Sequence, residues 1–330
     1  MRASAFRLAP SESIRRGVAS LSRWRIGVQI FTLIEGDYSK GAAALVNSIA
    51  RCGGAYEVHV GCIGETGLAI RPGAPVTMHA LPAGETWVGN RKFELISRIA
   101  RGKFLFIDAD CILMSPEILR IAAEALETAP LFCVEGILPS TDIRRARWER
   151  TYENVLGLKG GARRHLYFNS GFFGGDIVRD GKIFETWQRL IKGALGDSGL
   201  FSVKQFPMAD QDCLNAVLQC LQTEIVTLGP PDIVYAASPI NPFVHLEIEG
   251  CPLLCHQTGE NKPWKITHVP PRQPSAAERE WYALVTQTTP WCTIATDLPS
   301  SVRAWLEQSV WGRMLGHSAR VKFRLSGRIE

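Results

Sequence analysis

The run FLFIDAD at residues 104–110 decides the fold class of this chain. Its first four residues are apolar without alternation, which predicts a strand that is buried on both faces, as in the centre of a parallel sheet. Asp108 and Asp110 follow at the carboxyl end of this strand. Residues two apart on an extended chain point to the same side. Both carboxylates would therefore face the crevice in which open α/β sheets bind ligands.

Strand and helix patterns alternate on both sides of this run up to about residue 140. Further strands are predicted at 25–34, 56–63, 76–81 and 131–138, and helices at 42–51, at 90–101 and from 115 onward. Such alternation predicts an α/β fold with a doubly wound, mostly parallel sheet. The second half is less regular, with strands predicted at 166–176 and 251–256 and helices at 144–156, 182–191, 210–221 and 301–316.

Composition and charge exclude several classes of protein. The 330 residues are 46% hydrophobic and 21% charged, which excludes collagen-like, coiled-coil and wholly disordered chains. No apolar run approaches the roughly 18 residues of a membrane span. The net charge of +5 lies at the ends, because residues 1–25 carry +5 and residues 301–330 carry +4. The remaining body carries −4, which argues against a nucleic-acid partner.

Three parts are expected along the chain: a basic N-terminal arm at 1–24, the main domain at 25–268 and a C-terminal extension at 269–330. The predicted last helix carries Trp305, Trp311 and Met314, and a basic tail follows it. This pattern is typical of an anchor on an anionic membrane surface. The alternative, a helix that packs back on the domain, stays open.

The nine cysteines indicate a reducing compartment. Their number is odd and most have apolar neighbours, which is typical of buried, reduced thiols. Ser and Arg interrupt every apolar stretch before residue 26, so a secretory signal is not expected. The chain is therefore expected to be cytoplasmic, with a peripheral position on the inner membrane face as an option. A zinc site at Cys251, Cys255 and His256 is disfavoured, because no second ligand pair stands at zinc spacing.

Four motifs carry candidate chemistry. The carboxylates of Asp108 and Asp110 are hard oxygen ligands that suit Mg²⁺ or Mn²⁺, although a turn or a cap pair is the alternative. His256 could complete their metal shell. In the loop after it, Gly259 permits close approach of a phosphate and Lys262 supplies a charge for it. A solvated surface loop is the alternative for this motif.

The other two motifs offer polar groups to a polyhydroxylated ligand. Asn169 and Ser170 lie in a glycine-rich strand, which a simple β-bulge would also explain. Asp210 and Gln211 begin a predicted helix, where Asp210 could serve only as the N-cap. The functional interpretation is that both side chains project toward the substrate.

The order of these motifs resembles glycosyltransferase family 8, which includes glycogenin and bacterial lipopolysaccharide galactosyltransferases. The series is Asp-x-Asp after an apolar strand, Phe-Asn-Ser-Gly at 168–171, Asp-Gln-Asp-x-Leu-Asn at 210–215 and His-x-x-Gly-x-x-Lys-Pro-Trp at 256–264. The resemblance spans roughly residues 26–265. It implies a GT-A fold, the nucleotide-diphospho-sugar transferase fold, and a retaining transferase that moves a hexose from a UDP-sugar with Mn²⁺ or Mg²⁺. The acceptor would be a glycan or a lipid-linked glycan.

The resemblance also implies a role for each matching residue. The metal would be held by Asp108, Asp110 and His256, the diphosphate by Gly259 and Lys262, the donor sugar by Asn169, Asp210 and Gln211, and the nucleoside by Thr32 and Tyr38. Either Arg91 or Lys92 would be a basic residue near the donor. Ser170 stands where the family commonly has Ala, and Phe172-Phe173 replace smaller aliphatic residues, which would narrow the sugar pocket.

Catalysis would depend on charge stabilisation at the departing diphosphate, by the metal and Lys262. Retention requires a carboxylate nucleophile, for which Asp210 is the candidate, or a front-face attack, which we favour because Gln211 is a weak nucleophile. Two other functions remain open. One is a non-catalytic protein that binds a sugar nucleotide or a membrane. The other is a nucleotidyltransferase on a similar fold, although the loop 36–41 is a poor version of its glycine-rich signature.

Overall fold

A computed structural model of the chain describes residues 27–84, 86–136, 138, 142–159, 167–195, 208–221, 224–229, 233–236, 253–258, 262–271 and 274–307. Its centre is a seven-stranded sheet in the order β4-β2-β1-β5-β8-β7-β9. The strands are β1 (Gln29–Glu35), β2 (Glu57–Ile63), β4 (Val76–Leu81), β5 (Lys103–Ile107), β7 (Leu131–Glu135), β8 (Phe168–Asp176) and β9 (Ile225–Leu228). All neighbours pair in parallel except β8, which is antiparallel to β5 and β7.

The helices are α1 (Tyr38–Cys52), α2 (Lys92–Ile99), α3 (Glu117–Thr128), α4 (Ile143–Leu156), α5 (Ile177–Leu195), α6 (Ala209–Leu221), α7 (Ala276–Val285) and α8 at 300–307. Helices α1 and α3 bury their apolar residues against one face of the sheet, and α2, α5 and α6 bury theirs against the other. The structure therefore has three layers, and it confirms the α/β fold with a mostly parallel sheet. Helix α5 starts five residues before the predicted start, because β8 runs directly into it.

Strand β5 confirms the prediction made from the apolar run. It lies between β1 and β8 in the middle of the sheet, and its apolar side chains are at most 1% exposed. The backbone N–H of Asp108 donates to the carbonyl of Gly171, 2.7 Å away, so β8 also holds the residue that directly follows β5. Burial on both faces thus places Asp108 at the carboxyl edge of the sheet.

A second sheet, which the sequence did not predict as such, receives the chain directly after Asp110. It consists of β10 (Ile233–Ala236), β11 (Leu254–Gln257) and β6 (Cys111–Leu113), in that order. Strand β6 pairs antiparallel with β11, and Cys111 is opposite His256 in the register. The N–H of Gln257 donates to the carbonyl of Asp110 at 2.9 Å. This pairing brings the His256 motif next to the carboxylate motif, although they are far apart in sequence.

The segment after residue 268 packs on helix α1 as far as the structure describes it. The indole N–H of Trp281 donates to the carbonyl of Lys40 at 3.0 Å. Asn47 donates to the carbonyls of Leu284 and Cys292, each at 3.0 Å. Residues Cys292–Thr293 form a short strand, β12, against β3 (Ala69–Ile70). These bonds tie α7 and β12 to the first helix of the main sheet.

The membrane-anchor interpretation is not supported where the last helix is described. Trp305 is only 8% exposed, and it packs with Trp264, Trp281 and Leu298. Helix α8 thus follows the alternative, a helix that packs back on the domain. Trp311, Met314 and the basic tail lie outside the described residues, as does the N-terminal arm at 1–24. No helix in the described ranges is long and apolar enough to cross a membrane.

The cysteines that the structure describes are free, and seven of these eight are buried. Burial raises the pKa of Cys111 and Cys213 well above the ordinary thiol value. Such cysteines behave as small apolar side chains, as their sequence neighbours indicated. Cys251, one member of the disfavoured zinc site, lies outside the described residues.

Candidate active site

Lys92 joins two of the predicted motifs. Its Nζ lies 3.0 Å from Asp108 Oδ1, 2.9 Å from Asp210 Oδ2 and 2.9 Å from the carbonyl oxygen of Ser170. Burial alone would lower the pKa of Lys92, but the two carboxylates outweigh it and raise that pKa. Arg91 instead pairs with Glu94 at 2.7 Å. Of the two basic residues that the sequence left open, Lys92 is therefore the one in the site.

Asp110 lies between a histidine and a second buried lysine. Its Oδ1 is 3.2 Å from His256 Nε2 and its Oδ2 is 2.5 Å from Lys262 Nζ. Burial would raise the pKa of Asp110, but His256 and Lys262 hold it well below its usual range. At Asp108 the balance is opposite, because burial raises its pKa against the effect of Lys92. The two carboxylates of the motif therefore have different partners and different electrostatic environments.

Gly171 is the point at which the site residues converge. A Cβ at this position would lie 2.4 Å from His256 Cε1, 2.7 Å from Asn169 Oδ1 and 2.9 Å from Asp108 Oδ2. Real Cβ atoms essentially never approach other atoms so closely. The glycine of Phe-Asn-Ser-Gly is thus required by the approach of three side chains. The pairing of β7 with β8 also shifts register here, with Cys133 opposite Phe173 and Val134 opposite Asn169, so the strand irregularity that the sequence allowed is present as well. Asn169 Oδ1 also accepts a hydrogen bond from the Gly171 N–H at 2.7 Å.

The beginning of α6 is bound to strand β8 by side chains of the Asp-Gln-Asp motif. The Ser170 hydroxyl donates to Asp210 Oδ2 at 2.6 Å, and the Ser170 N–H donates to Gln211 Oε1 at 3.1 Å. Asn215 bonds both the N–H and the carbonyl of Phe168, each at 2.8 Å. Asp210 is therefore a member of the charged cluster and not a simple helix cap. Asn215 acts on the backbone of β8, which is a structural role.

Tyr38 and Thr32, both assigned to the nucleoside by the resemblance, have different environments. Tyr38 is 37% exposed, and its ring centre lies 5.6 Å from Lys262 Nζ and 6.0 Å from the ring centre of Trp264. Thr32 is fully buried inside β1, and its hydroxyl has no hydrogen-bond partner among the described residues. The structure thus brings Tyr38 next to Lys262, whereas Thr32 has a buried hydroxyl without a partner among the described residues. Gly259 lies outside the described residues.

The chemistry of these side chains fits a divalent cation. Ligand atoms of Asp110, Cys111 and His256 lie within 4.8 Å of one another. The buried Cys111 thiol has a strongly raised pKa, so it is a poor ligand. The Asp108 carboxylate lies near His256 across Gly171, and it is not among these three clustered groups. Carboxylates with an imidazole suit Mn²⁺ or Mg²⁺ better than a thiolate-preferring ion.

Sequence reasoning did not single out two residues that shape the site. A Cβ at Gly41 would lie 2.5 Å from the carbonyl oxygen of Ala109 and 2.6 Å from the Trp264 ring, so this glycine lets α1 pack against the turn between the two carboxylates. Asp212 is fully buried near Arg144, and burial raises its pKa to about 6. For Gly41, the available signal in the sequence was the run of small residues at 41–44.

An open cleft of about 480 Å³ lies at the carboxyl ends of β1 and β2. It is lined by Gly36, Asp37, Ser39, Lys40, Glu65, Thr66, Gly67, Ile294 and Ala295. The C-terminal segment therefore contributes to the same edge of the molecule as the loop after β1. Tyr38 begins α1 directly after this loop, and its ring centre lies 5.6 Å from Lys262 Nζ.

Comparison with known proteins gives the fold a name. No family model and no curated protein matches the chain. An active-site mutant of LgtC matches with a TM-score of 0.50 at 15% identity, over 84% of this chain and 99% of that one. The glycosyltransferase GlyE from Streptococcus pneumoniae TIGR4 matches with a TM-score of 0.50 at 13% identity, over 86% of this chain and 64% of GlyE. The bifunctional glycosyltransferase WbbM matches with a TM-score of 0.49 at 18% identity, over 80% of this chain. The chain spans about half of the length of WbbM, or 50%. The chain thus has the α/β GT-A-type fold of LgtC and GlyE.

Proposed function

We propose that the protein is a metal-dependent glycosyltransferase that moves a hexose from a UDP-sugar to a glycan or lipid-linked acceptor with retention. The observation that carries this proposal is the approach of Asp108 and His256 at Gly171, with Asp110 3.2 Å from His256 and with the buried Lys92 and Lys262 beside these carboxylates. Carboxylates for a cation and lysines for an anion are the parts needed to bind a metal diphosphate. The GT-A-type fold and the resemblance of the motifs add to this geometry.

Asp108, Asp110 and His256 would hold Mn²⁺ or Mg²⁺. The cation would neutralise the charge that develops on the leaving diphosphate when the glycosidic bond breaks. The ammonium group of Lys262 would stabilise the charge on the same diphosphate, and the backbone at Gly259 would approach it closely. Removal of such a stabilising group typically costs ~2.7–4 kcal/mol in the barrier.

The remaining donor contacts follow from the positions of the polar side chains. The exposed ring of Tyr38 would stack on the uracil. Thr32 is buried inside β1, so it would act only through this strand, which leads into the loop before Tyr38. Asn169 is 8% exposed at the convergence point and would meet the sugar. Gln211 would reach the sugar from the first turn of α6.

The partners of Asp210 favour the front-face route to retention. Its Oδ2 already accepts the Ser170 hydroxyl at 2.6 Å and lies 2.9 Å from Lys92 Nζ. A carboxylate held by two donors and 2% exposed is a weakened nucleophile with little freedom to move. Asp210 would instead hold Lys92 and the sugar-facing strand in place, while the leaving diphosphate accepts the proton of the acceptor hydroxyl.

Acceptor and location are proposed from the sequence alone. The basic tail beyond residue 307 would touch an anionic membrane surface that carries a lipid-linked acceptor, on the cytoplasmic side. Trp305 adds nothing to this proposal, since it belongs to the core.

Calorimetric titration of UDP, with and without Mn²⁺ and beside GDP, ADP and CMP, tests the proposal. We expect binding of UDP that depends on Mn²⁺, and slow hydrolysis of at least one UDP-hexose by the protein. Asp110→Asn serves as the matched variant, and it should lose the part of UDP binding that depends on Mn²⁺. Binding without hydrolysis or transfer would favour a non-catalytic sugar-nucleotide-binding protein, and no binding of any nucleotide would reject the proposal.

A further inference from the structure

Lys262 contacts Asp110, the carboxylate that the proposed cation would need as a ligand. Its Nζ is 2.5 Å from Asp110 Oδ2 and also donates to the carbonyl of Gln257. The other carboxylate oxygen faces His256 Nε2 at 3.2 Å. Both oxygens of Asp110 therefore already have a partner, and one partner is a full positive charge. An ammonium and a divalent cation on the same carboxylate oxygen repel each other strongly in a buried site.

The two buried lysines of the site differ in how they are held. Lys92 is bound by Asp108, by Asp210 and by the carbonyl of Ser170, so it joins three elements of the fold. Among the described residues, Lys262 has a single carboxylate partner, Asp110. Its Nζ also lies 5.6 Å from the ring centre of the exposed Tyr38. Lys262 is thus the lysine that can exchange its carboxylate for an anion arriving on the Tyr38 side.

We propose that Lys262 has two alternative partners, Asp110 in the free protein and the donor diphosphate in the complex, and that this exchange couples metal binding to nucleotide binding. The inference rests on the proposed function, because it takes the diphosphate and the cation as ligands. When the diphosphate draws Lys262 away, Asp110 becomes available to the metal. By linkage, each ligand must then strengthen the binding of the other by the same factor.

The exchange makes an unusual prediction for the metal alone. Replacement of a ligand-binding lysine normally weakens binding. Here Lys262→Met removes the competitor of the cation, so it should tighten the binding of Mn²⁺ in the absence of UDP. It should also weaken the binding of UDP in the presence of Mn²⁺, because the phosphate loses its ammonium. The two effects have opposite signs, which a general loss of structure would not produce.

Electron paramagnetic resonance of free Mn²⁺ measures this directly on the full chain, with and without UDP. We expect weak binding of Mn²⁺ by the wild type, a gain of roughly tenfold or more when UDP is added, and a similar gain in Lys262→Met without UDP, within the usual range of coupling between sites. Lys262→Arg keeps the competing charge and should bind Mn²⁺ alone as weakly as the wild type. Lys265→Ala removes an exposed lysine three residues away and should change nothing.

The outcomes separate the inference from the proposed function. Wild-type binding of Mn²⁺ and UDP, with Mn²⁺ affinity in Lys262→Met equal to or below that of the wild type, would overturn the exchange but leave the donor site intact. Absence of both Mn²⁺ and UDP binding in the wild type would overturn the two together. Should Lys262→Met unfold, the wild-type comparison and Lys262→Arg still decide, since independent binding of Mn²⁺ and UDP to the wild type contradicts the coupling.

Discussion

Replacement of Lys92 by Met should destabilise the protein strongly, because it leaves two carboxylates without their shared cation. Lys92 is 3% exposed, and so is Asp210, whose Oδ2 lies 2.9 Å away. The side chain of Asp108 is 28% exposed and can recover some solvation. The uncompensated charge is therefore mainly that of Asp210, and breaking one buried pair costs about 3–5 kcal/mol. Urea unfolding at pH 7 gives the free energy of unfolding for both proteins.

A second substitution identifies the cause of this loss, which is the uncompensated carboxylate of Asp210. Asp210→Asn in the same chain should restore a large part of the loss, as a positive coupling in the double-mutant cycle. A loss below about 1 kcal/mol, which is typical of exposed pairs, without rescue by Asp210→Asn would refute the buried-charge argument.

Three more changes test other parts of the structure. Gly171→Ala should cost about 1–3 kcal/mol by overpacking and abolish Mn²⁺-dependent UDP binding, because its Cβ would lie 2.4 Å from His256 Cε1; unchanged titration curves would contradict this. Burial lowers the pKa of His59 and of His79, and His59 Nδ1 lies 3.0 Å from His79 Nε2. The unfolded chain therefore binds more protons, and stability should fall as the pH drops below about 6.5, a slope that His59→Gln should reduce in urea titrations. Trp305→Ala should cost about 3–5 kcal/mol in thermal or urea unfolding, whereas a loss of less than 1 kcal/mol would mean that α8 is not part of the core.

The sequence predicted the centre of the sheet because burial leaves a local mark there. A strand covered on both faces has no polar alternation, and the run at 104–107 shows that pattern over its whole length. The reversed direction of β8 leaves no such mark, since an antiparallel strand covered by helices is as apolar as a parallel one. Strand β6 has only three residues, too few for any periodicity. Its pairing with β11 was therefore beyond local reasoning.

The site was predicted as a set of residues but not as an arrangement. The motifs contained Asp108, Asp110, His256 and Lys262, and the fold brings them together. The sequence did not decide between two adjacent basic residues at the start of α2, because neighbours on a helix are only about 100° apart and nothing local says which one faces the sheet. The decision lies in the carboxylates, which come from two other elements and are visible only in three dimensions.

The charge of the site explains why the same residues can accept both a cation and a polyanion. Three buried or half-buried carboxylates, from Asp108, Asp110 and Asp210, are opposed by two ammonium groups. The excess negative charge favours a divalent cation. Once this cation is bound, the cluster is positive and favours a diphosphate. Lys92 keeps its position when this charge changes, because three elements of the fold hold it. Among the described residues, Lys262 has only the carboxylate of Asp110 to exchange. The charges of the site therefore assign a fixed structural role to Lys92 and a ligand-dependent role to Lys262. The two variants would show this difference, because Lys92→Met should lower the stability of the protein, whereas Lys262→Met should raise its affinity for Mn²⁺.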